Sequence, residues 1–435
     1  MAISGIYVGL LLVGMLPIML FGTSPSSAFG MLGLVVGIWL LLGAVDWLLA
    51  APARKVALER DLPARSRLGE AVTSTLYVTN LGPRHLRAVV RDGWEPSAGA
   101  PRMREKLSIP VRERRSIHTV LQPWRRGDRR SEFAVVRSWG PMHLTARQAV
   151  LRAPGRVRIL PPFNARKHLP SRIARLRELD GQTTLQVRGQ GTEFDSLRDY
   201  VRGDDVRSID WRATARKQEL VVRTWRPERD RRVIIVIDSG RTAAARIEDE
   251  TRLDTAIESA LLLAALATRA GDRVDLIAFD QRVRARVQGF TGSVLLSQIT
   301  NAMANVEPEL IEMNWQEVPR LVREVTTHRA LVVLLSTADN FGTSRGLLEM
   351  LPSITHQHLV MVASITDPET AELAEQLSDR DEVMRAAAAE RAMFDAAQVR
   401  RTMTRLGADA ITATPYELPP RVADRYLELK KAGRL

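Results

Sequence analysis

Apolar and polar positions divide the chain into four stretches. The first holds two apolar runs, residues 3–22 (ISGIYVGLLLVGMLPIMLFG) and 28–51 (AFGMLGLVVGIWLLLGAVDWLLAA), joined by the polar turn TSPSS. About 20 apolar residues cross a bilayer as a helix, so the pattern predicts a transmembrane helical hairpin. A signal peptide fits less well: no basic segment precedes the first run, and a second full span follows at once. The turn carries no Lys or Arg, whereas Arg54, Lys55, Arg60, Arg65 and Arg67 follow the second run. Cationic flanks stay on the cytoplasmic side, which predicts a multi-pass inner-membrane anchor with everything after Ala51 cytoplasmic. Asp46 and Trp47 then fall at the membrane interface.

Residues 52–162 alternate with period two. GEAVTSTLYVTN places Val72, Leu76 and Val78 on one face, and HLRAVVRDGW, RSIHTVLQP, SEFAVVRSWGP and GRVRILPP continue as short strands between Gly, Pro and Asp turns. This predicts a small antiparallel β-sandwich of immunoglobulin-like type. Residues 163–232 read as a linker that carries a charged motif. From residue 233 the period switches. RRVIIVIDS, DRVDLIAFD, RALVVLLS and HLVMVASI are buried-type strands, and they alternate with helices such as DETRLDTAIESALLLAALATRAG, which Gly271 stops. Alternating strand and helix predicts a doubly wound α/β domain over 233–435, with ligands at the carboxyl ends of its strands.

Charge and composition sharpen the picture. The 435 residues carry a net charge of +13, and only six of the 63 cationic residues are Lys. Residues 51–232 are basic by 20 charges and residues 233–435 acidic by six. An Arg-rich sandwich beside an anchor suits anionic membrane lipids, each cation near that surface being worth about 1 kcal/mol, and plain solubility accounts for the same charge equally well. With no Cys, disulfides, thiolate metal sites and Cys nucleophiles are excluded. No helix-turn-helix, zinc-finger or RNA-recognition signature is present, so nucleic acid is not an expected partner.

The segment GTEFDSLRDYVRGDDVRSIDWRATARKQELVVRTWRPERDRRVIIVIDSGRT, followed by a terminal YLELKKAGRL, resembles a family of bacterial membrane proteins. The likeness is to the "domain of unknown function 58" family, and it extends over essentially the whole chain. It implies a von Willebrand factor A-like domain in the second half and a MoxR-type AAA+ ATPase as partner. It also places Asp204, Asp205, Asp210, Trp211 and Arg216 where the chain passes from sandwich to A-like domain. There a bidentate Arg–carboxylate network with a buried Trp would clamp a structural junction. Four nearby arginines oppose the raised pKa that a catalytic carboxylate pair needs.

A-like domains commonly hold a divalent ion through D-x-S-x-S at the first strand end. This chain keeps Asp238 and Thr242 but has Gly240 between them. Its second loop offers Asn314, and its third Ser336-Thr337 with Asp339 beyond. The expectation is therefore weak Mg²⁺ binding or none. GTSRG, with Ser344, matches G-x-S-x-G, but Ser344 lies well past its strand, and only His356 and His358 follow it. No phosphate-binding G-x-x-x-x-G-K-[ST] loop occurs. Together with the resemblance, the residues lead to the expectation of a non-enzymatic adaptor or scaffold for such an ATPase, with a hydrolase using the Ser344 region as the alternative.

Overall fold

The computed structural model describes residues 2–101, 104–186, 193–202, 204–226 and 231–435. The chain forms two compact units, Met1–Pro162 and Phe163–Leu435.

The first unit opens with strand β1 (Ala2–Ile3) and helices α1 (Gly5–Phe21) and α2 (Pro25–Leu49). Ser24 caps α2 in a reciprocal box with Ser27, and Pro25 fits the first helical turn, where no backbone N–H is needed. Among the described residues one helix, Pro25–Lys55, is long and apolar enough to cross a membrane, whereas α1 has only 17 residues. Of the two spans expected, helix length supports the second. Tyr7 stacks on Trp39 and donates to its carbonyl at 2.8 Å, which packs α1 along α2.

Strands β2 (Val56–Asp61), β3 (Arg65–Arg67), β4 (Val72–Asn80), β5 (Leu86–Trp94), β6 (Glu105–Ile109), β7 (Arg114–Leu121), β8 (Gly127–Trp139) and β9 (Thr145–Leu160) follow. They form two facing sheets, β1-β9-β8-β5-β6 with β3 beside β9, and β2-β4-β7. The expected face of β4 is the buried one: Val72, Leu76 and Val78 all point inward. Between the sheets, Arg60 grips Asp92 with two bonds of 2.7 and 2.6 Å, a buried pair whose remaining donors reach Ser74 and Ser131. A buried charge is tolerated only when its donors and lone pairs are met in this way.

The anchor is fastened to the sandwich through α2. Asp46, fully buried, accepts the backbone N–H groups of Met142, Leu144 and Thr145 at 2.8–2.9 Å. The α2 carbonyls left without helical partners are taken by cations: Arg147 donates to Trp47 at 2.9 Å and Arg84 to Leu48.

The second unit contains α3 (Leu169–Gln186), β10 (Glu193–Asp199), α4 (Trp211–Lys217), β11 (Val221–Arg226), β12 (Arg232–Asp238), the two-residue strands β13 (Arg246–Ile247) and β14 (Glu250–Thr251), and α5 (Arg252–Arg269). Next come β15 (Arg273–Phe279), β16 (Val283–Val287), α6 (Gly292–Ala304), α7 (Val318–Val325), β17 (Leu331–Leu335), α8 (Phe341–Thr355) and β18 (Leu359–Ile365). The chain ends through α9 (Pro368–Glu375), α10 (Arg380–Arg405), β19 (Asp409–Ala413) and α11 (Leu418–Lys431). The main sheet runs β16-β15-β12-β17-β18-β19, parallel except for edge strand β16. The order reverses at β12, the switch point of a doubly wound sheet. Helix α5 is covered on nearly every side, with Leu253 and the run from Thr255 to Ala267 buried, which is why its sequence is mostly apolar.

The stretch read as a linker is corrected by the structure. Ala165 and Leu176 lie in the core beside α5, and β10 and β11 pair as an antiparallel hairpin around α4. A linker reading fails there because α3 buries only a thin apolar edge, too sparse to show against its charges.

Candidate functional site

Asp238 ends β12 at the switch point. Its Oδ1 accepts the Gly240 amide at 2.8 Å, and its Oδ2 accepts the hydroxyls of Ser336 at 2.6 Å and Thr242 at 3.2 Å. Burial pushes the Asp238 carboxyl above the usual carboxylate range, against those three hydrogen bonds. Next to it Ser239 donates to Asp280 at 3.1 Å. Burial works to raise Asp280, yet donation from Arg284 and from the Arg282 and Gln281 amides leaves it below its ordinary value.

Three features close the crevice to a metal ion. A Cβ at Gly240 would lie 2.8 Å from the Ile311 carbonyl, so the serine of a D-x-S-x-S motif has no room. The same carbonyl accepts the Arg241 amide at 2.7 Å, and the Glu309 amide donates to Ser239 at 3.0 Å, which pins the loop over the site. Asp339, expected as a ligand, is instead held by Arg252 at 2.7 Å. Arg252 also lines the cavity behind Asp238, together with Ser336 and Thr337, and that cavity holds about one water. Mg²⁺ keeps several waters of its own. The donor set therefore does not fit a hydrated divalent ion, and among the described residues no three His, Cys, Asp or Glu side chains converge. The Asn314 backbone N–H donates to the Asp280 backbone carbonyl at 2.8 Å. Sequence reasoning missed Arg252 and the loop over Gly240; Gly240 itself was the signal, since glycine marks a close backbone approach.

Around the filled crevice the rim is exposed. Leu310 is 78% and Phe341 43% accessible, with the exposed Arg241–Glu312 pair between the loops.

The charged motif is a local scaffold. Asp210 caps α4, accepting the Arg212 and Ala213 amides at 3.0 and 2.9 Å, and pairs with Arg223 at 2.8 Å. Asp204 pairs with Arg198 at 2.6 Å and accepts the Val201 amide, while Asp205 caps the turn at 206–208 through the Arg207 amide. Hydrogen bonding holds the Asp204 and Asp210 carboxyls below the usual range: Arg198 foremost for Asp204, the Ala213 amide foremost for Asp210. Two expectations fail here. Trp211 is no buried anchor, being 68% exposed. Arg216 is exposed and, among the described residues, makes no ion pair. A Trp beside four cations signals an anchor in either setting, and sequence alone does not say whether it faces core or solvent. Gly191, Thr192, Gly203, Pro227, Glu228, Arg229 and Asp230 of the motif lie outside the described residues.

Ser344 sits in the first turn of α8 with its side chain buried, whereas His356 and His358 follow the other end of that helix. A helix of 15 residues spans roughly 22 Å, so serine and histidines form no dyad.

The family described as "Protein of unknown function DUF58" matches residues 196–411, from the charged hairpin to the last strand of the sheet. The chain belongs to this family. Uncharacterized proteins of Mycobacterium tuberculosis and Mycobacterium bovis are each 25% identical over 255 residues, covering 54% of this chain and 78% of theirs. Among solved structures, the CARDB domain of a Pyrococcus furiosus protein, in complex with di-metal ions, covers 24% of this chain and 91% of its own at 15% identity and a TM-score of 0.19. Proximal thread matrix protein 1 from the mussel byssus, with a zinc-occupied MIDAS motif, covers 46% of this chain and 45% of its own at 10% identity and a TM-score of 0.26.

Proposed function

We propose that the chain is a non-enzymatic, membrane-anchored adaptor whose second unit is a von Willebrand factor A-like interaction domain that works without a metal ion. The observation that carries this reading is the closed crevice. The Ile311 carbonyl over Gly240 and the Arg252–Asp339 pair leave no space for ion or substrate, while Leu310 and Phe341 stand exposed around it. A filled site with an apolar rim suits docking of a protein better than chemistry. The partner is a MoxR-type AAA+ ATPase, engaged in maturing or remodelling other proteins, as the family resemblance implies. Capture of that ATPase by the detergent-solubilised full chain tests the reading: Leu310→Asp and Phe341→Asp weaken capture without lowering the melting temperature. Wild-type capture that survives both changes overturns it.

The anchor is an α1–α2 hairpin in the inner membrane, in contact with lipid, with both units in the cytoplasm. In support, β1 precedes α1 and pairs with β9, so the chain leaves and rejoins the same sandwich. The chain has no Cys, so a single thiol reports topology cleanly. Ser26→Cys is labelled by an impermeant maleimide in intact spheroplasts, and Glu390→Cys only after the membrane is opened; the reverse pattern rules out this orientation.

A further inference from the structure

The hairpin β10–β11 carries a repeat that its fold does not use. Val201-Arg202, Val206-Arg207 and Trp211-Arg212 recur every five residues, and all six side chains are exposed. Of the hairpin's other cations, Arg198 pairs with Asp204, Lys217 with Asp199 and Arg223 with Asp210, whereas Arg216 is exposed and, among the described residues, makes no ion pair. Among the described residues, Arg202, Arg207 and Arg212 have no carboxylate partner. The stretch thus exposes three apolar side chains, each next in sequence to an arginine, and of these Trp and Arg are residue types that dominate interface energetics.

A second face has the opposite sign. Helices α9 and α10 form an excursion between β18 and β19, and α10 buries only Ala386, Ala389, Val399 and Met403 along its 26 residues. Leu377, Val383, Met384, Met393 and Phe394 are exposed. Residues 367–395 hold nine acidic side chains against three basic ones. This face is apolar like the first and opposite to it in sign, because residues 201–212 set three unpaired arginines against Asp205, with Asp204 and Asp210 paired to Arg198 and Arg223.

The two faces attach to opposite ends of one sheet. The hairpin leads into the amino end of β12, whereas α9 leaves the carboxyl end of β18, and these strands run parallel through β17. Complementary faces at opposite ends are suited to meeting between molecules. We infer that the chain associates head to tail with a second copy of itself, the basic Val201–Arg212 face of one copy seated on the acidic α9–α10 face of the next. An anionic lipid surface would satisfy the basic face alone and repel the acidic one; pairing of copies covers both. A head-to-tail contact is heterologous, so it propagates into a ring or a filament instead of stopping at a symmetric dimer. The inference is independent of the ATPase and of the crevice.

The test uses the full chain in a neutral detergent, followed by sedimentation velocity at about 10–100 µM, where contacts of micromolar strength are populated. Wild type forms species larger than one chain that dissociate as salt rises. Trp211→Ser on one face and Phe394→Ser on the other each weaken association at least about tenfold. Arg212→Glu and Glu390→Arg, charge changes at exposed positions, do the same and guard against loss of fold, since all four variants keep the wild-type melting temperature. The decisive sample is an equal mixture of Trp211→Ser and Phe394→Ser. Each retains one intact face, so the mixture gives species of two chains and none larger. A wild type that stays single-chain, single variants that associate like wild type, or a mixture that forms no two-chain species overturns the inference. So does a Trp211→Ser change that abolishes cosedimentation with anionic vesicles while leaving self-association intact.

Discussion

The Asp46 carboxylate of α2 accepts the backbone N–H of Thr145 at 2.8 Å, across 99 residues of sequence. With the Met142 and Leu144 amides, it receives three backbone donors in a site sealed from solvent. An acid in an otherwise apolar span is therefore the peg that fixes the anchor to the sandwich. Asp46→Ala strands buried donors, each costing about 1–3 kcal/mol. Thermal unfolding of the solubilised full chain falls accordingly, and limited proteolysis cuts within residues 140–145. Asp46→Asn retains one acceptor oxygen and loses less.

At the charged hairpin the structure reverses an expectation. Trp211 is exposed, so Trp211→Ala changes monomer stability by no more than about 0.5 kcal/mol. Asp210→Ala removes the α4 cap and costs about 1 kcal/mol. Denaturant melts at low protein concentration separate the two.

Gly240→Ser restores the letters of the metal motif without making a site. The added side chain meets the Ile311 carbonyl and the Met313 amide, 2.8 and 3.3 Å from its Cβ. Overpacking of this kind costs about 1–3 kcal/mol. Millimolar Mg²⁺ raises the melting temperature of neither wild type nor variant, whereas a site saturated a hundredfold would add about 2.7 kcal/mol.

Acid acts on the sandwich through Asp128. Its hydrogen bond from Arg158, with help from Arg156, holds the carboxyl well below its ordinary range even though burial opposes it. A depressed carboxylate stabilises above its unfolded pKa, about 4, and that contribution is lost as the pH falls through the folded value. Wild type loses stability on acidification below about pH 4, and Asp128→Asn, already weaker at neutral pH, loses less over the same range. Melting curves from pH 7 to the acid transition check the slope.

The elements with a strong period were legible in the sequence. Strand β4 with Val72, Leu76 and Val78 inward, buried β12 and β17, and α5 stopped at Gly271 (φ +76°) all follow from spacing and turn residues alone. Strand β6 and helix α3 were not, because one is short and polar and the other carries its apolar residues on a narrow edge. Within the site, Asp238 and Thr242 are neighbours as spacing implied, since both sit on one turn of chain. The Arg252–Asp339 pair spans 87 residues, and no local pattern announces a guanidinium that takes a carboxylate away from a crevice. Exposure of Trp211 was equally hidden, because a side chain's partners and its solvent are properties of the fold.

The docking rim is tested most directly by photo-crosslinking in native membranes. A photoreactive residue is placed in turn at Leu310, at Phe341, and at Val150 on the sandwich, all three exposed. The account predicts that Leu310 and Phe341 crosslink the MoxR-type ATPase and Val150 does not. Crosslinks from Val150 with none from Leu310 or Phe341 would contradict it.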